Sequence, residues 1–343
     1  MKHKVMDLHC DSVFSLMQGK DLRQKLLGSH VDLPRLREGR VGLQVFAAYV
    51  PPNTPEAFKF TSLRLDAIEG FAKSHEDLTL VESFDDVKKA LNAEKTGIML
   101  SVENGLAIEA EAGGKKGLSS NLEVLRKKKV RILTLVHSEH LPWVASCTGT
   151  NEYAFIEGDE GKNPHLSRLG EKVLDAMNEL GIIPDVSHCS EAAFWAVLKK
   201  AKKPIIASHS CCYSICEARR NLKDDQLKAL GDSGGIAGVN FCLPFLSDPY
   251  RLAYEKNNRK PDDSVTVPHT IIADHIDHMV KIAGIDIVAI GSDFDGIPAA
   301  PDGVTGSDYF PVLEHELRTR GYSEESIAKI FNGNFLRVLS QWD

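Results

Sequence analysis

Short apolar runs rich in β-branched residues recur along the chain, and most of the gaps between them carry the spacing of a one-sided helix. Eight such runs are predicted as strands: Lys4–Asp11, Val41–Val50, Gly97–Glu103, Val130–His137, Gly181–His188, Pro204–His209, Gly235–Phe241 and Ile287–Asp293. Helical patterns fall at Pro55–Lys73, Phe84–Ala93, Leu166–Leu180, Glu191–Ala201, Asp224–Leu230 and His269–Ala283, with a C-terminal helix around Glu324–Leu339. Eight strands alternating with helices over 343 residues indicate the α/β class and a (β/α)₈ TIM-like barrel. Leu141–Pro164 and Pro244–Pro268 are expected to be irregular βα-loop insertions with a functional role. No linker, low-complexity tract or internal repeat divides the chain, so residues 1–343 are expected to form one domain.

Chemistry in such barrels sits at the C-terminal ends of the strands. Those ends carry His9 and Asp11, Glu103, His137, His188, His209 and Asp293, and only the second and seventh strands lack a ligand type. His9 and Asp11 stand two apart, which places an imidazole and a carboxylate on one strand face. Glu103, beside that pair, has two oxygens with which to bridge two ions. His188 and His209, on adjacent strands, make a second pair, and His137 is suited either to metal ligation or to polarising a carbonyl. Asp293 is placed to take a proton from a metal-bound water. Arg219 and Arg220 follow closely enough for a guanidinium to fold over the mouth and grip a carboxylate. As a set, these residues predict a metal-dependent hydrolase. Asp295, ahead of Gly296 and Pro298, is expected to be a turn residue. Gly231–Gly235 has the letters of a serine-protease nucleophile but the position of a turn between helix and strand. His275 and His278, one helical turn apart, are expected to be exposed or capping.

Composition narrows the partners. Hydrophobic residues make up 43% and charged ones 26%, enough for a large core, and the net charge of −7 favours no nucleic acid. No apolar stretch approaches the roughly 20 residues that span a bilayer, so no membrane partner is expected. Seven cysteines without regular spacing suggest free thiols and a cytoplasmic setting.

With these residues assembled, the chain resembles the membrane (renal) dipeptidase family of zinc peptidases, within the amidohydrolase-like barrels. The likeness runs essentially end to end. It rests on Asp7-Leu8-His9-Cys10-Asp11-Ser12, Val31-Asp32-Leu33-Pro34-Arg35-Leu36-Arg37, Leu133-Thr134-Leu135-Val136-His137-Ser138 with Pro142-Trp143, Ser208-His209-Ser210 through Tyr213-Ser214 to Arg219-Arg220-Asn221, and Gly291-Ser292-Asp293-Phe294-Asp295-Gly296. The resemblance implies two Zn²⁺ ions, with Mn²⁺ or Co²⁺ as substitutes: His9 and Asp11 on one, His188 and His209 on the other, Glu103 bridging. It implies that His137 contacts the scissile carbonyl and Arg220 the substrate's terminal carboxylate. Asp293 would lie beside the bridging water and the substrate's free amine. The expected activity is hydrolysis of small free dipeptides, L-Xaa-L/D-Xaa, by a metal-bridging hydroxide, in a homodimer. A metal-dependent amidase, lactamase or lactonase is the alternative, and a pure binding module would require degraded ligands. Three departures stand out. Cys10 replaces an Asn of vertebrate members, Val144-Ala145-Ser146 differs from the acidic-Asn continuation after the Trp, and neither a secretion signal nor a lipid-anchor tail is seen, so a soluble prokaryote-like version is expected.

Overall fold

The computed structural model describes residues 3–109, 117–151, 165–262 and 264–343. The second half of the expected Leu141–Pro164 insertion, from 152 to 164, lies outside them. Among the described residues nine parallel strands form one sheet: β1 (Val5–Cys10), β2 (Val41–Tyr49), β3 (Leu78–Leu80), β4 (Thr96–Glu103), β5 (Val130–Thr134), β6 (Ile183–Asp185), β7 (Ile206–Ala207), β8 (Ile236–Val239) and β9 (Val288–Ile290). Eight of them close a barrel in the order β2-β1-β9-β8-β7-β6-β5-β4, with β4 returning to β2. The fold is the predicted (β/α)₈ barrel. The ninth, β3, is an addition. Because β2 takes one edge of β4 along Gly97–Glu103, β3 and β5 share the other, β3 at Thr96–Ile98 and β5 from Leu100 upward. Its Leu-Thr-Leu is too short to stand out as an apolar run.

Strands in this sheet are buried on both faces, which is why they read as continuous apolar runs rather than alternating ones. Alternation still sorts the core. Met6, Leu8, Leu43, Val45, Met99, Ile132, Ile183, Ile206, Ile236 and Ala289 gather in the barrel's interior. Their strand neighbours Phe46, Ala48, Ile98, Leu100 and Val102 pack outward in the shell of helices. Phe335, Val338, Leu339 and Trp342 join the interior group from the C-terminal end of the chain, and Trp342 Nε1 donates to Pro204 O at 2.7 Å. They close the barrel at its N-terminal foot.

Five strands end two or three residues earlier than predicted, among them Gly235–Phe241, which stops at Val239. The runs to His137, His188, His209 and Asp293 lose pairing at Thr134, Asp185, Ala207 and Ile290, so these residues stand on the loops just beyond. Buried carboxylates take over the backbone donors there. Asp185 accepts from the amides of Ser187 (3.0 Å) and Ser208 (2.8 Å), and Asp7 accepts from that of Ser292 (2.8 Å). The Pro244–Pro268 segment is helical in its first half and irregular only in the described residues beyond Lys256. Ser247 caps a helix at Asp248–Lys256, directly after a turn of helix at Leu243–Leu246. The C-terminal helix is likewise interrupted: Glu324–Ala328 and Asn334–Ser340 flank a π turn at Lys329–Gly333. Just after that turn, Asn334 Nδ2 donates to the carbonyls of Ile285 and Val288, both at 2.8 Å.

One irregularity sets the site. From Asp7 to Cys10, β1 advances three residues while its partner β2 advances two, from Gln44 to Phe46. The extra residue is a bulge. Below it Met6 and Leu8 face the interior, whereas above it Cys10 packs outward with Phe46. His9 and Asp11 therefore both face into the barrel mouth.

Candidate active site

At that mouth a cavity of about 1060 Å³ opens, lined among others by Asp11, Phe14, Tyr49, Glu103, His137, His188, Arg220, Phe245 and Asp293. Glu103 stands at the centre of the side-chain cluster. Its Oε2 lies 3.6 Å from His9 Nε2, while its Oε1 lies 3.0 Å from His188 Nε2, 3.5 Å from His209 Nε2 and 3.9 Å from His137 Nε2. His9 Nε2 is also 3.4 Å from Asp11 Oδ2 and 3.8 Å from Asp293 Oδ1. Three overlapping groups have ligand atoms within 4.8 Å of one another: His9, Glu103 and His209; Glu103, His137 and His188; His9, Asp11 and Asp293. All seven strand-end residues named from the sequence thus meet in one place.

Several local devices aim them. His188 adopts φ +70°, which turns its ring inward where simple alternation would have presented Ser187. Ser208 Oγ donates to Asp185 Oδ2 at 2.5 Å and lies 2.7 Å from His209 Nδ1. With its own proton committed to the carboxylate, that hydroxyl accepts from Nδ1–H, so His209 turns an unprotonated Nε2 to Glu103. Asp295 is indeed a turn residue. It accepts from Ser12 Oγ (2.5 Å), Ser29 Oγ (3.1 Å) and the His30 amide (2.6 Å), tying the loop after β9 to the segment after β1. Gly296 must be glycine, since a Cβ there would run into the carboxylates of Asp11 and Asp293. The Val144-Ala145-Ser146 stretch is pinned to the site: Ser146 Oγ donates to His137 O, and the Cys147 amide to His188 O.

Burial and charge compete in the electrostatics: against burial, Glu103 and Asp11 hold His9 well above the ordinary imidazole range, while burial prevails at the other three rings. Burial pushes His188 well below the ordinary imidazole range, helped by Arg220 and His137, and lowers His209 together with His9. His137 is lowered by burial and Arg220. These three rings are neutral at pH 7, the form in which imidazole binds a metal. Burial would lift Glu103 too, but His9, His137 and the contacts from His188 and His209 hold it well below the usual carboxylate range. Asp11 is raised by burial and by Glu103, and Asp293 chiefly by burial.

A divalent metal fits this set. His188 Nε2 and His209 Nε2 lie 3.1 Å apart, and His9 Nε2 and Asp11 Oδ1 are buried without hydrogen-bond partners. Buried polar atoms left unpaired in one cluster are costly unless a cation satisfies them.

Arg220 is placed apart from the cluster. It is buried on the cavity wall, with Nη2 donating to His209 O (3.0 Å), its guanidinium over the Phe245 ring and its Nε unpartnered. Arg219, beside it, is exposed. His275 and His278 lie elsewhere, and the expectation for His275 is corrected: it is fully buried, accepting from the Cys212 amide. Two residues that sequence reasoning passed over also reach the mouth. Tyr49, at the end of β2, presents its ring edge-on to His137 at 4.6 Å, and Asn240 follows β8. Their strands look blank only to a search for metal ligands. Strand parity, carried from Val45 to Tyr49 and from Ile236 to Asn240, would have found both.

The family model described as membrane dipeptidase (peptidase family M19) matches residues 1–343. The chain belongs to the membrane dipeptidase family. Dipeptidase 3 of Mus musculus is 31% identical over 332 residues, covering 95% of this chain and 60% of that relative. An uncharacterized dipeptidase of Schizosaccharomyces pombe is 32% identical over 369 residues, covering 98% of this chain and 80% of its own length. The chain thus spans about three fifths of the mammalian dipeptidase it matches. A metallo peptidase of Rhodobacter sphaeroides, solved with a phosphinate mimic of the dipeptide L-Ala-D-Ala, superposes with a TM-score of 0.83 at 23% identity, over 99% of each chain. This membrane dipeptidase family member has, among the described residues, no helix long and apolar enough to cross a membrane.

Proposed function

We propose that the chain is a metallo-dipeptidase that cleaves small free dipeptides, L-Xaa-L/D-Xaa, with two zinc ions held by its barrel mouth. His9 and Asp11 would hold one ion and His188 and His209 the other, with Glu103 between them. The observation that carries this reading is the division of Glu103, one oxygen toward His9 and the other toward His188 and His209. Bound zinc supplies Lewis acidity, which brings the pKa of water toward neutrality and polarises a carbonyl. The residues supply the rest. Neutral His137, on the cavity wall, donates a hydrogen bond to the oxygen of the scissile carbonyl as charge develops there. Asp293 receives the proton of the attacking water and returns it to the leaving amine. Arg220 pairs with the substrate's terminal carboxylate, which excludes longer peptides. The same reading treats residues 1–343 as one hydrolase domain acting as a homodimer, and the seven unpaired cysteines support a reducing, cytoplasmic setting.

The test is amino-acid release from L-Ala-L-Ala, L-Ala-D-Ala, L-Ala-D-Glu, L-Ala-D-Ala amide and a tripeptide by zinc-loaded protein. Cleavage of the free dipeptides alone is expected. Arg220→Ala should raise KM for them about 100-fold or more, as loss of a charge-assisted pair to a buried site does. Silence across the panel in protein holding two zinc ions would overturn the assignment in favour of cyclic amides or lactones.

A further inference from the structure

Asn240 is fully buried on the interior side of the wall, directly beyond β8, and touches none of the expected metal ligands through their side-chain donor atoms. Its contacts define it closely. Oδ1 accepts from the Cys242 amide at 2.6 Å, and Nδ2 donates to Asp293 Oδ2 at 2.9 Å and, at 3.5 Å, to His209 O. The backbone partners settle which end of the amide is which. A backbone N–H can only donate and a carbonyl can only accept, so the oxygen must face Cys242 and the NH₂ must face Asp293. Toward Asp293, Asn240 is therefore a donor.

A carboxylate has two chemically equivalent oxygens, and rotation about its last side-chain bond is soft. The Asn240 hydrogen bond removes that equivalence. With Oδ2 held on the β8 side, Oδ1 is the oxygen turned toward His9 Nε2, 3.8 Å away. We propose that Asn240 is a positioning residue that fixes Asp293 so that the proton is taken up and given back at Oδ1. This rests on Asp293 being the proton carrier, as proposed above. No bond to Asn240 forms or breaks. The proton moves from water to Oδ1 and from Oδ1 to the leaving nitrogen, while the amide keeps Oδ2 out of the exchange.

Asn240→Ala removes the donor. The zinc-loaded variant should retain two zinc ions per chain and a KM within about threefold of the parent. Its kcat should fall about 10- to 100-fold, the scale on which a misplaced reacting group acts. Its crystal structure should show the Asp293 carboxylate rotated or split between two orientations. Should Asn240→Ala not fold for want of an acceptor at Cys242, Asn240→Ser replaces it. The serine hydroxyl can accept from the amide two residues on and is too short to reach Asp293. An unchanged kcat, loss of zinc, or an Asp293 carboxylate unmoved in the variant crystal would each overturn the assignment. If the parent cleaves no dipeptide, the function reading falls, and the variant crystal structure still decides whether Asn240 orients Asp293.

Discussion

Asp293 shows how much one residue's surroundings decide. It is raised by burial, bonded on one oxygen and open on the other, at the rim of a cluster dominated by Glu103 and three neutral imidazoles. Asp293→Asn keeps its volume and removes the basic oxygen. Zinc content should be unchanged, while kcat falls about 10²- to 10⁴-fold, the usual contribution of a positioned base. Metal analysis beside steady-state kinetics checks this, and a variant that still turns over at the parental rate would remove Asp293 from the proton path. Most of this site is legible in the chain because His, Asp and Glu are rare at strand ends for packing reasons. Tyr49 and Asn240 are not, because neither side chain announces a metal. Nor does the sequence reveal that His188 needs φ +70° to turn inward.

Elements behave similarly. Long, wholly apolar strands and one-sided helices are visible in the sequence, whereas β3, with three residues, and the helix Asp248–Lys256 are not. The latter hides behind Pro and polar residues and is started by the Ser247 cap. The helix Ile271–Ala283 carries a pH consequence. Its His275 is buried between the Cys212 amide and the Leu246 carbonyl, and burial drops its pKa to about 4. The unfolded chain binds a proton there below about pH 6.5, and the folded chain only near pH 4. Between those values the unfolded state carries more protons, so stability rises with pH through this window and is lost on acidification. The loss should approach about 3 kcal/mol by pH 4. Urea midpoints for the parent and His275→Gln at pH 7 and pH 4.5 measure it. The parent should lose more than the variant, and equal losses would assign the acid sensitivity to other groups.

For the whole molecule, the proposed metal site would link metal binding to folding. The proposed donors come from strand ends far apart in sequence, so the unfolded chain has no such site and an ion bound there would stabilise only the native barrel. A single ion present at about 100 times its Kd adds about 2.7 kcal/mol. Stripping zinc with a chelator should therefore lower Tm by several degrees, restored on adding zinc back. A Tm unmoved after verified removal would argue against a shared native site. The barrel itself is legible because eight buried strands leave a plain trace, yet which side of its wall holds the chemistry is not written in any residue type. It is written in a count. Alternation along β1 is a signal of period two, and the extra residue between Asp7 and Cys10 slips its phase by half a cycle. Remove one residue there and the parity of every later position inverts, sending His9 and Asp11 toward the helices with their chemistry intact but facing nothing. Substitution scans preserve the count and so never disturb this setting, which only an insertion or a deletion can reach.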